Sequence, residues 1–438
     1  MTAVRIRNIA RAVLASFVAA CAADDHHDEP ALVDTSGRGE STSSASTSIT
    51  TAGDADADGD STTVVDHDTT AAADEGSDSG ELPDACTPDG AWPDPDWTLG
   101  DPAAHGFDVA ALEDAVAYAE SEESYCLLVV KDGELVLERY FGDATADTPM
   151  KSWSIAKSYV SAIVGIALDR GELGSIDDSI AQYLPELVGD PREAVTLRHL
   201  LSMTAGLYQD VLDDMAGMFT AMDMTAKAMA TTLHAEPGAA WQYSNVAVQL
   251  FEPIFRAIGT RADEYARTNI WEKIGMDAEW FLDPAGNPAL YMNVLATCRD
   301  HARFGYLLLR HGCWAGEQVI PHAWLADATH ASQGMNLGYG HYFWLGAGDP
   351  TLDLVDSSPL DRGALHPGAP DDAFCAVGLG SQFIEVVPSL DLLVVRMGHA
   401  AVEDLEGNPF PILEVFELLG EGEQQVHDEI VQRVFAAL

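Results

Sequence analysis

Ser154-Ile155-Ala156-Lys157 heads the apolar run Ser154-IAKSYVSAIVGIALDR-Gly171. The run predicts a buried helix that stops at a glycine, the residue best suited to the position just past a helix end. A hydroxyl and an amine three positions apart lie on one side of such a helix, a turn from each other. Near neutral pH an alcohol is a poor nucleophile until a neighbour takes its proton. A lysine takes it only where burial or a nearby cation lowers its pKa. The chain has few lysines, Lys131, Lys151, Lys157, Lys227 and Lys273, and only Lys157 has a serine three residues before it. On spacing alone the same residues also fit a serine N-cap with a snorkelling lysine. The rest of the chain decides between the two.

The chain has 438 residues, with 22 basic and 71 acidic side chains and a formal charge of −49. That balance excludes nucleic-acid binding through phosphates. Residues 1–21 read as an export signal. Arg5, Arg7 and Arg11 form a basic start, and Ala12-VLASFVA-Ala20 is an apolar run too short for a membrane span. It closes with Val18-Ala19-Ala20-Cys21, which resembles a bacterial lipobox, so Cys21 is expected to carry a lipid. Ala22 follows where an aspartate would retain such a protein at the inner membrane, so an outer membrane is the expected site, facing periplasm or cell surface. Beyond it, Cys86, Cys126, Cys298, Cys313 and Cys375 are an odd number. At least one is therefore free or pairs with another chain, and the connectivity is not readable from sequence. No Cys-x-x-Cys or compact Cys/His motif suggests zinc, and neither metal nor cofactor is expected.

Residues 22–85 are rich in Ser, Thr, Ala, Gly and Asp and lack Phe, Trp and Tyr. Such a tract cannot bury enough apolar surface to offset its ordering entropy and reads as an acidic tether. Asp54-Ala-Asp56-Ala-Asp58-Gly59-Asp60 imitates half of a calcium loop, but Val65 stands at the twelfth position, where a chelating glutamate is needed. Residues 86–438 are expected to form one catalytic domain. Val109–Glu120 has helical spacing, and Cys126–Val130 and Leu135–Phe141 flank the hairpin signal Asp132-Gly133. Helices dominate from about 175 to 330, with Thr196 as an N-cap and a helix over Val246–Ile258. Phe374–Gly378, Gln382–Val387 and Leu392–Met397 read as strands, and about Glu423–Leu438 as a final helix. The expected architecture is α/β (α+β): an antiparallel sheet flanked by helices, built from both chain ends, with a mainly helical lobe inserted.

Tyr243-Ser244-Asn245 follows Pro237-GAAWQ at a turn before an apolar helix. A phenol near a lysine cation ionises more readily and relays protons, and an asparagine can bridge lysine and substrate. A second Tyr-x-Asn, Tyr291-Met292-Asn293, makes the bare tripeptide weak. Gly378-Leu379-Gly380-Ser381-Gln382 places two glycines at a strand start, where a substrate backbone can approach closely.

Together these segments resemble serine hydrolases of the β-lactamase and penicillin-binding type. They resemble most of all the class C branch, with its esterases, D-aminopeptidases and aminohexanoate-oligomer hydrolases. Ser152-WSIAKSYVSAIVGIALDRGEL, Val195-TLRHLLSMTAG-Leu207, Pro237-GAAWQYSN and Thr297-CRDHARFGYLL-Leu309 with Trp314-AGEQVI-Pro321 carry the resemblance. It implies a β-lactamase/transpeptidase-like fold and an acyl-enzyme on Ser154. It makes Lys157 the general base, Tyr243 the proton shuttle and Asn245 the second-motif asparagine. It implies an oxyanion hole from the amides of Ser154 and Ser381, with Gly378 and Gly380 in the third motif. Tyr208 and Asn293 match pocket positions of the aminohexanoate hydrolases, and Trp241, Tyr339 and Trp344 are candidates to line an acyl pocket.

One departure shapes the substrate. β-Lactamases and peptidases open the third motif with lysine or histidine, which holds a substrate carboxylate. Here Gly378 stands there, and the nearest histidines in sequence are His366 and His399. The expected activity is therefore hydrolysis of a small ester or amide. β-Lactamase or D,D-carboxypeptidase action is the alternative, and a binding or sensor domain without turnover is a third reading.

Overall fold

The computed structural model describes residues 86–400 and 421–438, except 88, 89, 209, 211, 355, 356 and 362. The export signal, Cys21 and the acidic tract lie outside the described residues.

Helix α1 (Val109–Ser121) is capped by the Asp108 carboxylate and leads into β1 (Ser124–Lys131) and β2 (Glu134–Tyr140). Asp132 and Gly133 join the two strands with φ of 52° and 83°, both left-handed, as a two-residue turn between twisted strands requires. A short β3 (Met150–Lys151) precedes a single 3₁₀ turn, Trp153–Ile155, which runs into α2 (Ala156–Asp169). Every side chain of α2 from Ala156 to Ala167 is buried, which is why the run is apolar on all faces. The inserted lobe holds α3 (Leu197–Leu201), α4 (Asn245–Gln249), α5 (Phe251–Ala257), β4 (Ala278–Trp280) and β5 (Val294–Ala296). Thr196 caps α3 in a capping box with His199. Then come α6 (Cys298–Leu309), a small hairpin of β6 (Cys313–Trp314) and β7 (Glu317–Gln318), and β8 (Trp344–Leu345). Strands β9 (Phe374–Gly378), β10 (Gln382–Val387) and β11 (Leu392–Gly398) and helix α7 (Glu421–Ala437) complete the chain.

The main sheet runs β2-β1-β11-β10-β9-β8, and each neighbouring pair is antiparallel. The first and last strands among the described residues thus lie side by side, Val129 opposite Val394, and close one sheet from both ends. Alternating residues sort into two cores. Ile384 and Val386 face one with α2, α6 and the lobe, while Phe383 and Val387 face the other with α1 and α7. Two disulfides, Cys86–Cys313 and Cys126–Cys298, tie the start of the domain to the α6 region, and Cys375 is free and buried.

The lobe is less purely helical than the sequence suggests. A second sheet, β3-β5-β4, crosses it with strands of two or three residues. Segments so short carry no periodicity to read. Among the described residues no helix is long and apolar enough to cross a membrane.

Candidate active site

The site begins with a strained turn. Trp153, directly before Ser154, has φ of +47°, a conformation that costs a bulky residue energy and persists only where neighbours impose it. Asn293 imposes it here. Its amide oxygen accepts from Trp153 N at 3.2 Å, and its own backbone N donates to Trp153 O at 3.1 Å. One residue back, Ser152 is held by Val294, whose N–H donates to Ser152 Oγ at 2.8 Å. Asn293, expected in the substrate pocket, is buried and braces the Trp153 turn.

The turn presents Ser154 to Lys157, with Oγ 2.9 Å from Nζ. Lys157 Nζ also donates to the Tyr291 carbonyl at 2.8 Å. Burial drives the lysine pKa down to about 7 from an ordinary 10.5, against a smaller upward pull from Asp214. A substantial share of the amine is therefore neutral near pH 7, the state a proton acceptor needs.

Tyr243 completes the cluster. It hydrogen-bonds Ser154, and its ring centroid lies 4.8 Å from Lys157 Nζ. The expectation that the lysine eases ionisation of this phenol is reversed. Burial raises the Tyr243 pKa above its ordinary value, although the Ser154 hydrogen bond opposes the rise, so the phenol stays protonated. Trp344 stacks on Tyr243 at 6.1 Å, and Tyr339 meets it edge-on at 6.3 Å. Trp241 packs edge-on to both Tyr339 and Trp344. These three form a buried wall behind Tyr243. Tyr208 sits half-buried nearby, its phenol pKa raised by burial and then by the Asp214 charge. Phe219, partly exposed, stacks on Trp153 at 6.4 Å and so brings the lobe over the Trp153 turn.

Asn245 opens α4, and its side-chain amide donates to the Asp214 carbonyl at 3.2 Å and to Met215 sulfur. That turns it toward the lobe segment Leu212–Gly217. Asp214 was not singled out by the sequence. Its carboxylate is buried and accepts from Ser244 Oγ at 2.9 Å, Asn245 N at 2.8 Å and Val246 N at 3.2 Å, capping α4 from outside. Burial pushes its pKa up to about 6, against those hydrogen bonds and the Lys157 charge. Its neighbour Asp213 pairs with Lys227 in a more open setting, and nothing in the local sequence separates the two.

The third motif also resolves differently from its sequence reading. A Cβ on Gly378 would stand 2.5 Å from Ser152 O and 3.0 Å from Ser154 N, so β9 presses its glycine against the Ser152–Ser154 turn. No side chain fits at 378, which makes it a place of close approach and not of a missing cation. Ala376, two residues back on the same strand face, is the small residue next in line. Gly380 and Ser381 end the β9–β10 hairpin with φ of 79° and 53°, and their carbonyls accept from the buried Arg396. Of the histidines near the motif, His399 Nδ1 meets the Tyr125 hydroxyl at 2.8 Å, and His366 Nδ1 meets Asp428 at 2.6 Å.

A profile of the Beta-lactamase family matches residues 109–413. The chain belongs to that family. It is a serine-hydrolase-type enzyme with the β-lactamase/transpeptidase-like fold. It is 23% identical over 303 residues to an uncharacterised protein of Alkalihalophilus pseudofirmus, covering 62% of this chain and 82% of that one. It is 26% identical over 216 residues to a 6-aminohexanoate-dimer hydrolase of Paenarthrobacter ureafaciens, covering 45% of this chain and 55% of that enzyme, so it spans about half of that relative. A penicillin-binding protein homologue from Caulobacter crescentus superposes with a TM-score of 0.55 at 19% identity, over 75% of this chain and 97% of that one.

Asp214 yields a test of the site's electrostatics. Its charge raises the Lys157 pKa, so Asp214→Asn removes that upward pull and lowers the lysine pKa further. The acid limb of kcat/KM is expected to move to lower pH. Weakened capping of α4 costs about 1–3 kcal/mol of stability. A limb that stays put or moves to higher pH in the folded variant shows that Asp214 does not act on the base.

Proposed function

We propose that the protein hydrolyses a small ester or amide through an acyl-enzyme on Ser154. The observation that carries this reading is Ser154 Oγ at 2.9 Å from a fully buried lysine whose pKa is about 7. In the free enzyme neutral Lys157 takes the Ser154 proton as Oγ attacks the carbonyl carbon. Tyr243, a protonated phenol bonded to Ser154, passes a proton to the leaving group and later receives one from the attacking water, while Lys157 returns its proton to Ser154 Oγ as the acyl group departs. One oxyanion donor is the Ser154 N–H. Because Gly378 is the contact point with the nucleophile turn, the amide that follows it, Leu379, is better supported than Ser381 as the second donor. Each such donor contributes about 3–4 kcal/mol to the transition state. Asn245 acts by holding the Asp214 segment against α4. Cys21, as a lipid anchor reached by the 22–85 tract, would hold the enzyme on a membrane facing periplasm or cell surface; the support is the signal-like sequence of residues 1–21.

Substrate preference follows from the third motif. Ala376, Val377, Gly378 and Leu379 offer no cation beside the nucleophile. The name of the Paenarthrobacter relative, a hydrolase of an amino-acid dimer, is compatible with an amide of this size. Neutral short-chain p-nitrophenyl esters and amides are expected to exceed nitrocefin and D-Ala-D-Ala peptides in kcat/KM by at least about 10²-fold, the discrimination a missing buried charge partner gives. Nitrocefin turnover on a par with the best ester would make the β-lactamase reading the correct one. A stable adduct on Ser154 without turnover of any substrate would favour a sensor.

A further inference from the structure

On the far side of the main sheet from Ser154, four side chains with metal-binding atoms meet. Cys375 on β9 and Glu385 on β10 stand directly opposite each other in the strand pairing. Glu385 is in phase with Phe383 and Val387, which face α1 and α7, and not with Ile384 and Val386, which face α2. His427 comes from α7 and His366 from the loop before β9. All four are buried, none more than 2% exposed. One nitrogen of each histidine, the Cys375 sulfur and a Glu385 oxygen all lie within 4.8 Å of one another.

The hydrogen bonding leaves His366 Nε2 and Glu385 Oε1 in this centre without a hydrogen-bond partner. His366 Nδ1 lies 2.6 Å from the Asp428 carboxylate, which fixes the ring proton on that nitrogen and turns the Nε2 lone pair inward. That Nε2 stands 3.4 Å from Glu385 Oε2 without hydrogen-bond geometry, and Glu385 Oε1 is buried with no hydrogen-bond partner. His427 Nε2 approaches the same Oε2 at 3.2 Å. Buried polar atoms left in this state call for an ion or proton between them. The two histidine–Glu385 distances, 3.4 and 3.2 Å, fit an ion. Tetrahedral bonds of about 2.0–2.2 Å to nitrogen and oxygen put neighbouring ligand atoms roughly 3.3–3.5 Å apart. The ring stack of Phe383 on His427, 4.1 Å between centroids, holds the imidazole in place, and Asp428 supplies the outer hydrogen bond that orients a metal-binding histidine.

We propose that His366, Cys375, Glu385 and His427 bind one structural zinc ion that fastens the C-terminal helix and the 366 loop to strands β9 and β10. Two imidazoles, a thiolate and a carboxylate form a closed four-ligand set suited to zinc and leave no position open for chemistry. On binding, the Cys375 thiol releases its proton to solvent and the sulfur bonds the metal as thiolate. The expectation of no metal rested on linear motifs. These ligands are spread over 62 residues of sequence and converge only through strand pairing and helix packing.

The test uses the full chain without an affinity tag, stripped with a strong chelator and then titrated with Co²⁺ and Zn²⁺. Wild type is expected to take up one equivalent of Co²⁺ with a thiolate-to-metal charge-transfer band and the strong visible bands of tetrahedral cobalt. Zn²⁺ should displace the Co²⁺ and raise the melting temperature by about 5 °C or more. Cys375→Ser should lose the charge-transfer band, bind one equivalent less, and keep kcat on the ester substrate, because the site lies across the sheet from Ser154. Ions held by His26 and His27 appear equally in both proteins and cancel. If the variant does not fold, the wild-type cobalt spectrum and the chelator-dependent melting shift decide alone. Folded wild type that gives no charge-transfer band, or melts identically with chelator and with Zn²⁺, overturns the proposal and leaves a proton-sharing network around Glu385.

Discussion

Ser154→Ala is expected to lower kcat/KM by at least about 10³-fold and to abolish labelling by a fluorophosphonate probe. The change removes one oxygen. Lys157 keeps its bond to the Tyr291 carbonyl, and the Trp153 turn keeps both of its Asn293 hydrogen bonds, so the fold should persist. What is lost is the atom that becomes bonded to the acyl carbon, and the oxyanion donors alone leave only a residual rate over water. Intact mass before and after the probe reads the result directly. Equal mass gain in both proteins would move the nucleophile elsewhere, with Ser158 and Ser161 on the same helix as the nearest candidates.

Much of this arrangement was legible because it is local. The Asp132-Gly133 turn, the alternating runs of β9 to β11 and the all-round apolar α2 each carry a period or a turn signal that tertiary contacts only reinforce. One sheet built from both chain ends followed from having strands at both ends and helices between, whereas the pairing of β1 with β11 is seen only in the fold. What stayed hidden depends on contacts across the chain. Asp214 looks like any surface aspartate until the lobe folds it under α4. Asn293 was placed in the pocket by resemblance, but its value lies in a hydrogen bond to a backbone 140 residues away. Gly378 was read as the place of a missing cation, whereas its neighbours show a glycine required by the approach of β9 to Ser154. The ionisation of Tyr243 was misjudged because the sequence shows neither its burial nor the Asp214 charge, and both raise its pKa.

Lys157→Met should abolish activity and yet stabilise the protein, and both effects come from the same desolvation. The lysine is fully buried, with a pKa of about 7 against an ordinary 10.5. Its folded pKa lies below the unfolded one, so between those two values the unfolded chain holds the extra proton. Stability therefore falls as pH drops from about 10.5 to about 7, and the full cost is present below pH 7. At roughly 1.4 kcal/mol per pH unit the cost is about 5 kcal/mol near and below neutrality. Methionine has similar length and no charge to desolvate, so it recovers that cost and fills the space. Against it, the Tyr291 carbonyl loses its donor and Asp214 loses a countercharge, which takes back about 1–3 kcal/mol. The net expectation at pH 7 is a gain of about 2–4 kcal/mol, roughly 3–6 °C in melting temperature for a domain of this size. The gain should shrink toward pH 10, where the folded amine is already neutral and the unfolded one, close to its ordinary pKa of 10.5, loses its proton at little cost. Turnover should fall by at least about 10³-fold, because no other group within reach of Ser154 Oγ can take its proton near neutrality while Tyr243 stays protonated. Calorimetry at pH 7 and pH 10 with ester kinetics on the same preparations tests both halves. A variant that is less stable at pH 7, or stabilised equally at both pH values, would show that the buried amine carries no ionisation cost and that its depressed pKa is not what activates Ser154.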